Sequence, residues 1–332
     1  MDAMLPYIWA GIIAFGILVY VVLDGFDLGV GVLFGTTGNE AHRRQMMASV
    51  APVWDGNETW LLVIGAGLFG AFPIVYAIFL SAFYLPVILL LVALIFRGVA
   101  FEFRYKTESM RWLWDWGFFL GSTIAAFVQG AAIGAMVDEL PIQDGRFVGA
   151  SFFWLTPFAV CCGVGLVLGY SLLGVNWLIL KTEGELRDWA YRRAPWLLLA
   201  VLVFLAIVFV YALSLKLDVM QRWLQQPVLW VFPAIGALAV IGCYLGIQAR
   251  RDAVPFLMTA LIFICAFGTM AVSFWPYMVP YSLTIEEAAA PPASLSFLFY
   301  GAGLFVIPVI LIYTIVVYWI FRGKVHPADS YG

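Results

Sequence analysis

The chain has 332 residues, 64% of them hydrophobic and only 11% charged, with a mean hydropathy of +0.99. Soluble domains carry about 25% charged residues, so the composition excludes a soluble globular protein and predicts an all-α polytopic membrane protein. The net charge of −3 is spread over loops, which excludes a nucleic-acid surface.

The N-terminus MDAMLPYIW lacks a basic n-region, and the apolar run after it is too long for a signal core. The first helix is therefore expected to stay in the mature protein. A span needs about 20 apolar residues, and nine segments qualify. They are 7–33, 52–72, 74–101, 112–137, 151–180, 196–215, 228–247, 255–274 and 295–321. Only AFPI separates the second from the third, with Pro73 as the breaker, so one bent helix there would leave eight.

Basic residues test that count. Arg43 and Arg44 follow the first span, and Arg104, Lys106 and Arg111 follow the third. Lys181, Arg187, Arg192 and Arg193 follow the fifth, Arg250 and Arg251 the seventh, and Arg322 and Lys324 the ninth. These are thirteen of the seventeen Lys and Arg residues, all in alternate loops, with Lys216 and Arg222 as a partial exception. The asymmetry predicts an N-terminus outside and a C-terminus in the cytoplasm. Trp112, Trp114, Trp116, Trp189, Trp196, Tyr277 and Tyr318 lie near span ends, as interfacial belts do. The longest external loop, Trp275 to Ser294, carries four prolines and is expected to be stiff and extended.

Cys161, Cys162, Cys243 and Cys265 all lie in apolar runs without a CxxC, so they read as packing residues and predict no metal site. The two histidines, His42 and His326, sit beside basic loop residues. Bis-histidine haem ligation needs histidines within the spans, so any haem is expected on another chain.

Polar residues inside the spans are the strongest signal. In VLDGFDLGVG, Asp24 and Asp27 share one face of the first helix, on the order of 10–15 Å from its cytoplasmic end. Insertion scales charge about 2.5–3.5 kcal/mol for each mid-span aspartate, so that face must look at protein or water. Gly25, Gly29 and Gly31 let a neighbouring backbone come close. In PVWDGNETWL, Trp54, Asp55, Asn57 and Glu58 open the second span. Glu58 alone could be an acid favoured by the helix dipole, but the group together suggests function. Arg97, in FRGVAFEFR, lies at the hydrocarbon edge and needs a partner. Asp115, in WLWDWGFF, lies one turn into the fourth span, where an Arg97–Asp115 pair is expected. Gln129 and Asn176 read as interhelical hydrogen bonds. The polar material thus forms a half-channel open to the cytoplasm.

At these residues the chain resembles subunit II of the cytochrome bd-type ubiquinol oxidases. DGFDLGVG, APVWDGNETWL, FRGVAFEFR and WDWG follow in the family's order and spacing, covering most of residues 20–120. The compact length resembles the shorter, cyanide-insensitive branch. The resemblance implies two four-helix bundles plus one peripheral helix. The corresponding division is 1–137 for the first bundle with the acidic cluster, 138–275 for the second, and 276–332 for the external loop, ninth helix and tail. It implies a complex in the bacterial cytoplasmic membrane that oxidises quinol and reduces dioxygen to water. The b-type and d-type haems would sit in subunit I, with none bound by this chain, and with room for a quinone or lipid and for a small single-span accessory subunit. It also implies that Asp24, Asp27 and Asp55 serve proton uptake, with Asp55 at the entry, and that Arg97 and Asp115 match a charged pair in the internal polar core.

Two other readings remain open on the residues. A proton- or cation-coupled transporter also needs intramembrane acids, but usually places them at the midplane on broken helices from both halves. A purely structural scaffold subunit would use the same charges to hold its partner.

Overall fold

The structure is a computed structural model that describes residues 2–107, 109–214 and 223–326. The first helix, α1 (Leu5–Phe34), runs 30 residues with Pro6 in its first turn. At 1.5 Å per residue it is about 45 Å long, enough to cross a bilayer and project beyond it. A second helix, α2 (Glu40–Val50), follows. Asn39 caps it by accepting from the backbone N–H of Ala41 at 2.9 Å and of His42 at 3.4 Å. Sequence reading left this segment as a loop. An 11-residue amphipathic helix outside the lipid gives no hydropathy peak, although it buries Met46, Met47 and Val50.

The next three elements are α3 (Trp54–Ala71), α4 (Pro73–Ala82) and α5 (Tyr84–Phe103). The expected third span, 74–101, is therefore two helices. Phe83 lies between them with φ −109° and ψ 25°. The break has a local cause: Pro86 has no N–H to give the carbonyl four residues back, and helical bonding resumes with Val87 N–H to Phe83 O at 2.8 Å. Among the described residues, eight helices are long and apolar enough to cross a membrane. The 18-residue α3 is not one of them, because Asp55, Asn57 and Glu58 fill its opening turns. It nevertheless runs antiparallel along α1. Asn57 meets Asp27 near one end, and Gly67 packs on Ile13 near the other.

The remaining long helices are α6 (Arg111–Val137), α7 (Pro157–Lys181), α8 (Glu185–Ser214), α9 (Val231–Gln248) and α10 (Ala253–Phe274). The sixth span was expected to open at Trp196, but α8 begins at Glu185 and passes through Pro195. Its first turns are polar, with Glu185 and Asp188, so a reading of apolar runs begins the segment too late. The expected end of that span at Leu215, and Lys216 and Arg222, lie outside the described residues. The proline-rich loop is folded, not extended. Tyr277–Val279 pairs antiparallel with Leu283–Thr284. A one-turn helix, α11 (Ile285–Ala288), follows with a Thr284–Glu287 capping box. Tyr7 Oη donates to Glu286 at 2.6 Å and Trp9 Nε1 to the Leu295 carbonyl at 3.1 Å. The segment thus closes over one end of α1. The chain continues through α12 (Pro292–Leu298) and a wide π turn (Phe299–Gly303) into α13 (Val306–Ile320).

Two apolar clusters fill the interior. One surrounds Leu5, Trp9 and Ile13, and the other surrounds Phe26, Trp177 and Phe118. Phe26 stacks on Trp177 with ring centroids 3.9 Å apart. The α1–α7 contact is backbone on backbone. A Cβ at Gly29 would lie 1.7 Å from the Tyr170 carbonyl oxygen, and one at Gly174 would lie 2.5 Å from the Gly29 carbonyl carbon. At Gly25 a Cβ would meet the Tyr170 ring at 2.7 Å, and at Gly31 the Ser122 hydroxyl at 1.9 Å. The glycine stripe of α1 therefore sets how near α7 and α6 come.

The basic end of the bundle is tied by the C-terminal segment. Lys181 Nζ donates to the carbonyls of Phe321 and Gly323. Gln45 Nε2 donates to Val325 O at 2.9 Å, and Lys324 pairs with Asp252 at 2.5 Å. Asp252 also takes Arg187 and Tyr191. Burial pushes its carboxyl up, but these donors outweigh that and hold it below the ordinary range.

Gly29→Ala is expected to force α1 and α7 apart at a cost of about 1–3 kcal/mol, read as a lowered melting temperature in detergent. Gly11→Ala, whose Cβ would meet nothing within 4 Å, should leave it unchanged.

Candidate functional site

Asp24, Asp27 and Arg97 are all 0% exposed. The helices that place them are α1 and α5, with α3 supplying Asn57 and Glu58. Arg97 Nη1 donates to Glu58 Oε1 at 2.6 Å and stands 3.9 Å from Asp24 Oδ1. Asn57 Nδ2 donates to Asp27 Oδ2 at 2.6 Å and to the Leu23 carbonyl at 3.2 Å. Three carboxylates thus face one guanidinium. Glu58 is the member that reaches the surface, its side chain 22% exposed. Both oxygens of Asp24, Oδ1 of Asp27, and Nε and Nη2 of Arg97 have no hydrogen-bond partner among the described residues. Buried charges are ordinarily well satisfied.

Aromatic rings wall the cluster. Trp54 and Phe101 stack at 4.9 Å with planes 7° apart, and Arg97 lies 5.9 and 5.8 Å from their centroids. Beyond Asp24 along α1, Tyr20, Gln129 and Tyr170 form a chain. Gln129 Nε2 donates to Tyr20 Oη, and Tyr170 Oη donates to Gln129 Oε1, each at 3.0 Å. Asn176 donates to Thr259 Oγ1 at 2.8 Å. Both amides make the interhelical bonds expected of them.

The expected Arg97–Asp115 pair does not form. Helices α5 and α6 run antiparallel, and the residue of α6 level with Arg97 is Gly121, whose Cβ would lie 3.1 Å from that of Arg97. Asp115 is six residues from Gly121, about 9 Å along the helix. It pairs instead with Arg104 at 2.6 Å and Arg43 at 2.8 Å. Arg104 is wholly buried and also donates to both oxygens of Glu40, at 3.1 and 2.8 Å. Burial pushes the Glu40 carboxyl up. Arg104, then Arg44 and Arg111, outweigh this and hold it below its ordinary value of 4.5. Arg104 and Glu40 were not singled out in the sequence because both read as loop charges. The one available signal was NEAHRR, an N-cap followed by an acid and basic residues at helical spacing.

Asp55 lies in the first turn of α3, exposed, at the mouth of the cluster rather than in it. Trp54, Asn57, Glu58, Asp24, Asp27 and Arg97 are brought together. Gly25, Gly29 and Gly31 serve packing. A contributor to the cluster that the sequence does not reveal is Tyr318 of α13, whose hydroxyl donates to Asn57 Oδ1 at 2.9 Å. It was assigned to an interfacial belt, and 261 residues separate it from Asn57. His42 lies in α2 at 3.8 Å from Glu185, and His326 lies 3.2 Å from Glu183, both at the basic end. Among the described residues, no group of three or more His, Cys, Asp or Glu side chains is placed to hold a metal.

A family model described as cytochrome bd terminal oxidase subunit II matches residues 5–321. The cytochrome bd-I ubiquinol oxidase subunit 2 of Escherichia coli (strain K12) is 33% identical, over 98% of this chain and 96% of its own. The cytochrome bd ubiquinol oxidase subunit 2 of Bacillus subtilis (strain 168) is 31% identical over 97% of each chain. A chain of the bd oxidase from Geobacillus thermodenitrificans matches with a TM-score of 0.75 at 16% identity, covering 95% of this chain and 99% of that one, a likeness of fold.

Arg104→Ala leaves Asp115 and Glu40 without their shared cation. It is expected to cost about 3 kcal/mol, measured by denaturation in detergent. The Glu40 contribution carries a pH signature. It is fully present above the unfolded value of 4.5 and lost as pH falls through the lower folded value. The acid-side loss of stability should therefore be smaller in the variant.

Proposed function

The chain belongs to the cytochrome bd terminal oxidase subunit II family, and from that premise we propose that its buried acid cluster feeds protons to oxygen reduction in a partner subunit. As a family member it is a multi-pass subunit of a quinol oxidase, an oxidoreductase complex. The haems belong to subunit I, and this chain supplies no haem ligand. A small single-span accessory subunit and lipid complete the assembly. The basic end of the bundle faces the cytoplasm and the N-terminus the periplasm, in keeping with the positive-inside rule. Counting α3, nine spans form two four-helix bundles, 1–137 and 138–275. Residues 276–332 add the external loop and a peripheral ninth helix. The Gly29–Gly174 contact joins the two bundles.

The chemistry sets the demand. Two quinols give four electrons and four protons, and one dioxygen takes four of each to form two waters. Quinol protons leave on the outside, and those consumed come from the cytoplasm, so turnover builds a gradient without a pump. Protons must then travel through protein to a buried centre. Asp55 at the surface of α3 collects them. Glu58, three residues on and on the same face, takes them inward. Asp24 and Asp27 lie behind Arg97, and Arg97 keeps the acids from repelling one another apart. A carboxylate accepts a proton on one oxygen and releases it from the other, which suits a relay.

The observation that carries this reading is the surplus of three carboxylates over one guanidinium, with Glu58 as the part-exposed member. Neutralising Arg97 alone would call for one buried carboxylate, not three.

Two measurements test it. A reduced-minus-oxidised visible spectrum of the chain alone should show no haem bands, and the co-expressed complex should show b- and d-type bands. In the complex, Asp55→Asn and Glu58→Gln should each slow oxygen uptake by about tenfold or more with the bands unchanged. Full turnover in both, or loss of the assembled complex in both, would leave the scaffold as the function of this chain.

A further inference from the structure

Asp27 is held by Asn57 of α3. Asn57 donates to its Oδ2 and to the Leu23 carbonyl, and Tyr318 Oη donates to Asn57 Oδ1. The Asn57 amide is thereby used at both ends. Its third bond comes from Tyr318, which arrives from the last helix and packs its ring edge-on to Phe26 and Trp177 at 6.5 and 6.3 Å. Without the Tyr318 hydroxyl the amide oxygen loses its donor and the amide that holds Asp27 is anchored at one end only.

Tyr318 also lines a cavity of about 230 Å³ at the basic end, with Ser49, Trp177, Lys181 and the C-terminal segment. One hydroxyl and one amide therefore stand between that cavity and Asp27. This chain of hydrogen bonds fixes geometry but does not conduct. A carboxamide passes a proton on only by taking one at its oxygen and losing one from its nitrogen, through an imidic acid of high energy. The charged and titratable groups around Asp27 are Asp24 on its own helix, Glu58 of α3, Arg97 of α5, and Tyr318 of α13, with Tyr170 of α7 further along.

We propose that Tyr318 is a positioning residue for oxygen reduction: by locking the Asn57 amide it aims Asp27 at the cluster and closes the cavity side to protons, so that they enter past Glu58. This rests on the reading that the acid cluster delivers protons.

The test uses the intact oxidase complex. Tyr318→Phe keeps the ring and removes the hydroxyl. Oxygen uptake should fall about fivefold, the effect of one well-placed hydrogen bond, with quinol KM and haem bands unchanged and the pH profile displaced. Asn57→Ala should produce the same loss, and the double variant no more than either. A near-isosteric variant covers the case in which these do not assemble. Asn57→Asp replaces the donor facing Asp27 by an acceptor, and should slow oxygen uptake at least as much as Asn57→Ala with the haem bands unchanged. The inference is overturned if Tyr318→Phe matches the unaltered complex in rate and pH profile while Asp27→Asn is slow, or if Asn57→Asp runs at full rate. If Asp27→Asn itself runs at full rate, the relay and the inference fall together.

Discussion

One guanidinium in a low-dielectric interior governs the arrangement of this subunit. Arg97 cannot stay charged inside the bundle without carboxylates beside it, and Asp24 and Asp27 cannot stay ionised in the first helix without a cation. Each requirement answers the other, and together they fix how α1, α3 and α5 must meet. The glycines of α1 then follow from the same constraint. With one face of the helix given to charge, its hold on the bundle comes from the faces against α7 and α6, where Gly29 and Gly31 allow contact too close for any larger residue.

The two buried arginines show what distinguishes a working charge from a structural one. Arg104 donates from all three nitrogens, to Asp115 and to both oxygens of Glu40, and lies against Phe34 and Tyr105. Its three nitrogens are all used, and Arg43, Arg44 and Arg111 add further pairs to the same two carboxylates. Among the described residues Arg97 makes one hydrogen bond, to Glu58, and one longer ion contact, to Asp24. The first arrangement resists change, since any movement breaks several bonds at once. The second turns on a single short bond to Glu58, with Asp24 3.9 Å away, so Arg97 can shift between carboxylates at the cost of one bond.

Much of this was legible in the sequence because charge inside an apolar run is costly and therefore conspicuous. Asp24, Asp27, Asn57, Glu58, Trp54 and Arg97 could each be picked out, and the structure places them in one cluster. The partner of Arg97 was not legible. Asp115 has the right sign and a similar distance from its own span end, but antiparallel packing puts Gly121 opposite Arg97. The choice between Asp115 and Glu58 depends on helix register, which hydropathy does not encode. The amphipathic α2 and the polar start of α8 lie outside the lipid and escape a search for lipid-compatible segments. Tyr318 looked like any tyrosine at a membrane edge, and nothing near it in the chain points back to Asn57.

The Lys181 latch on the Phe321 and Gly323 carbonyls has a consequence for the order of events during synthesis. Asp24, Asp27, Asn57 and Arg97 precede α13 in the chain by more than 200 residues, so they are made and inserted before it. The acid cluster therefore enters the bilayer without its last wall, and the hydrogen bond from Tyr318 to Asn57 closes it afterwards. A chain stopped short of residue 318 would contain every acid of the cluster and still lack the finished site, so completeness of the polypeptide is itself a condition for the charge arrangement.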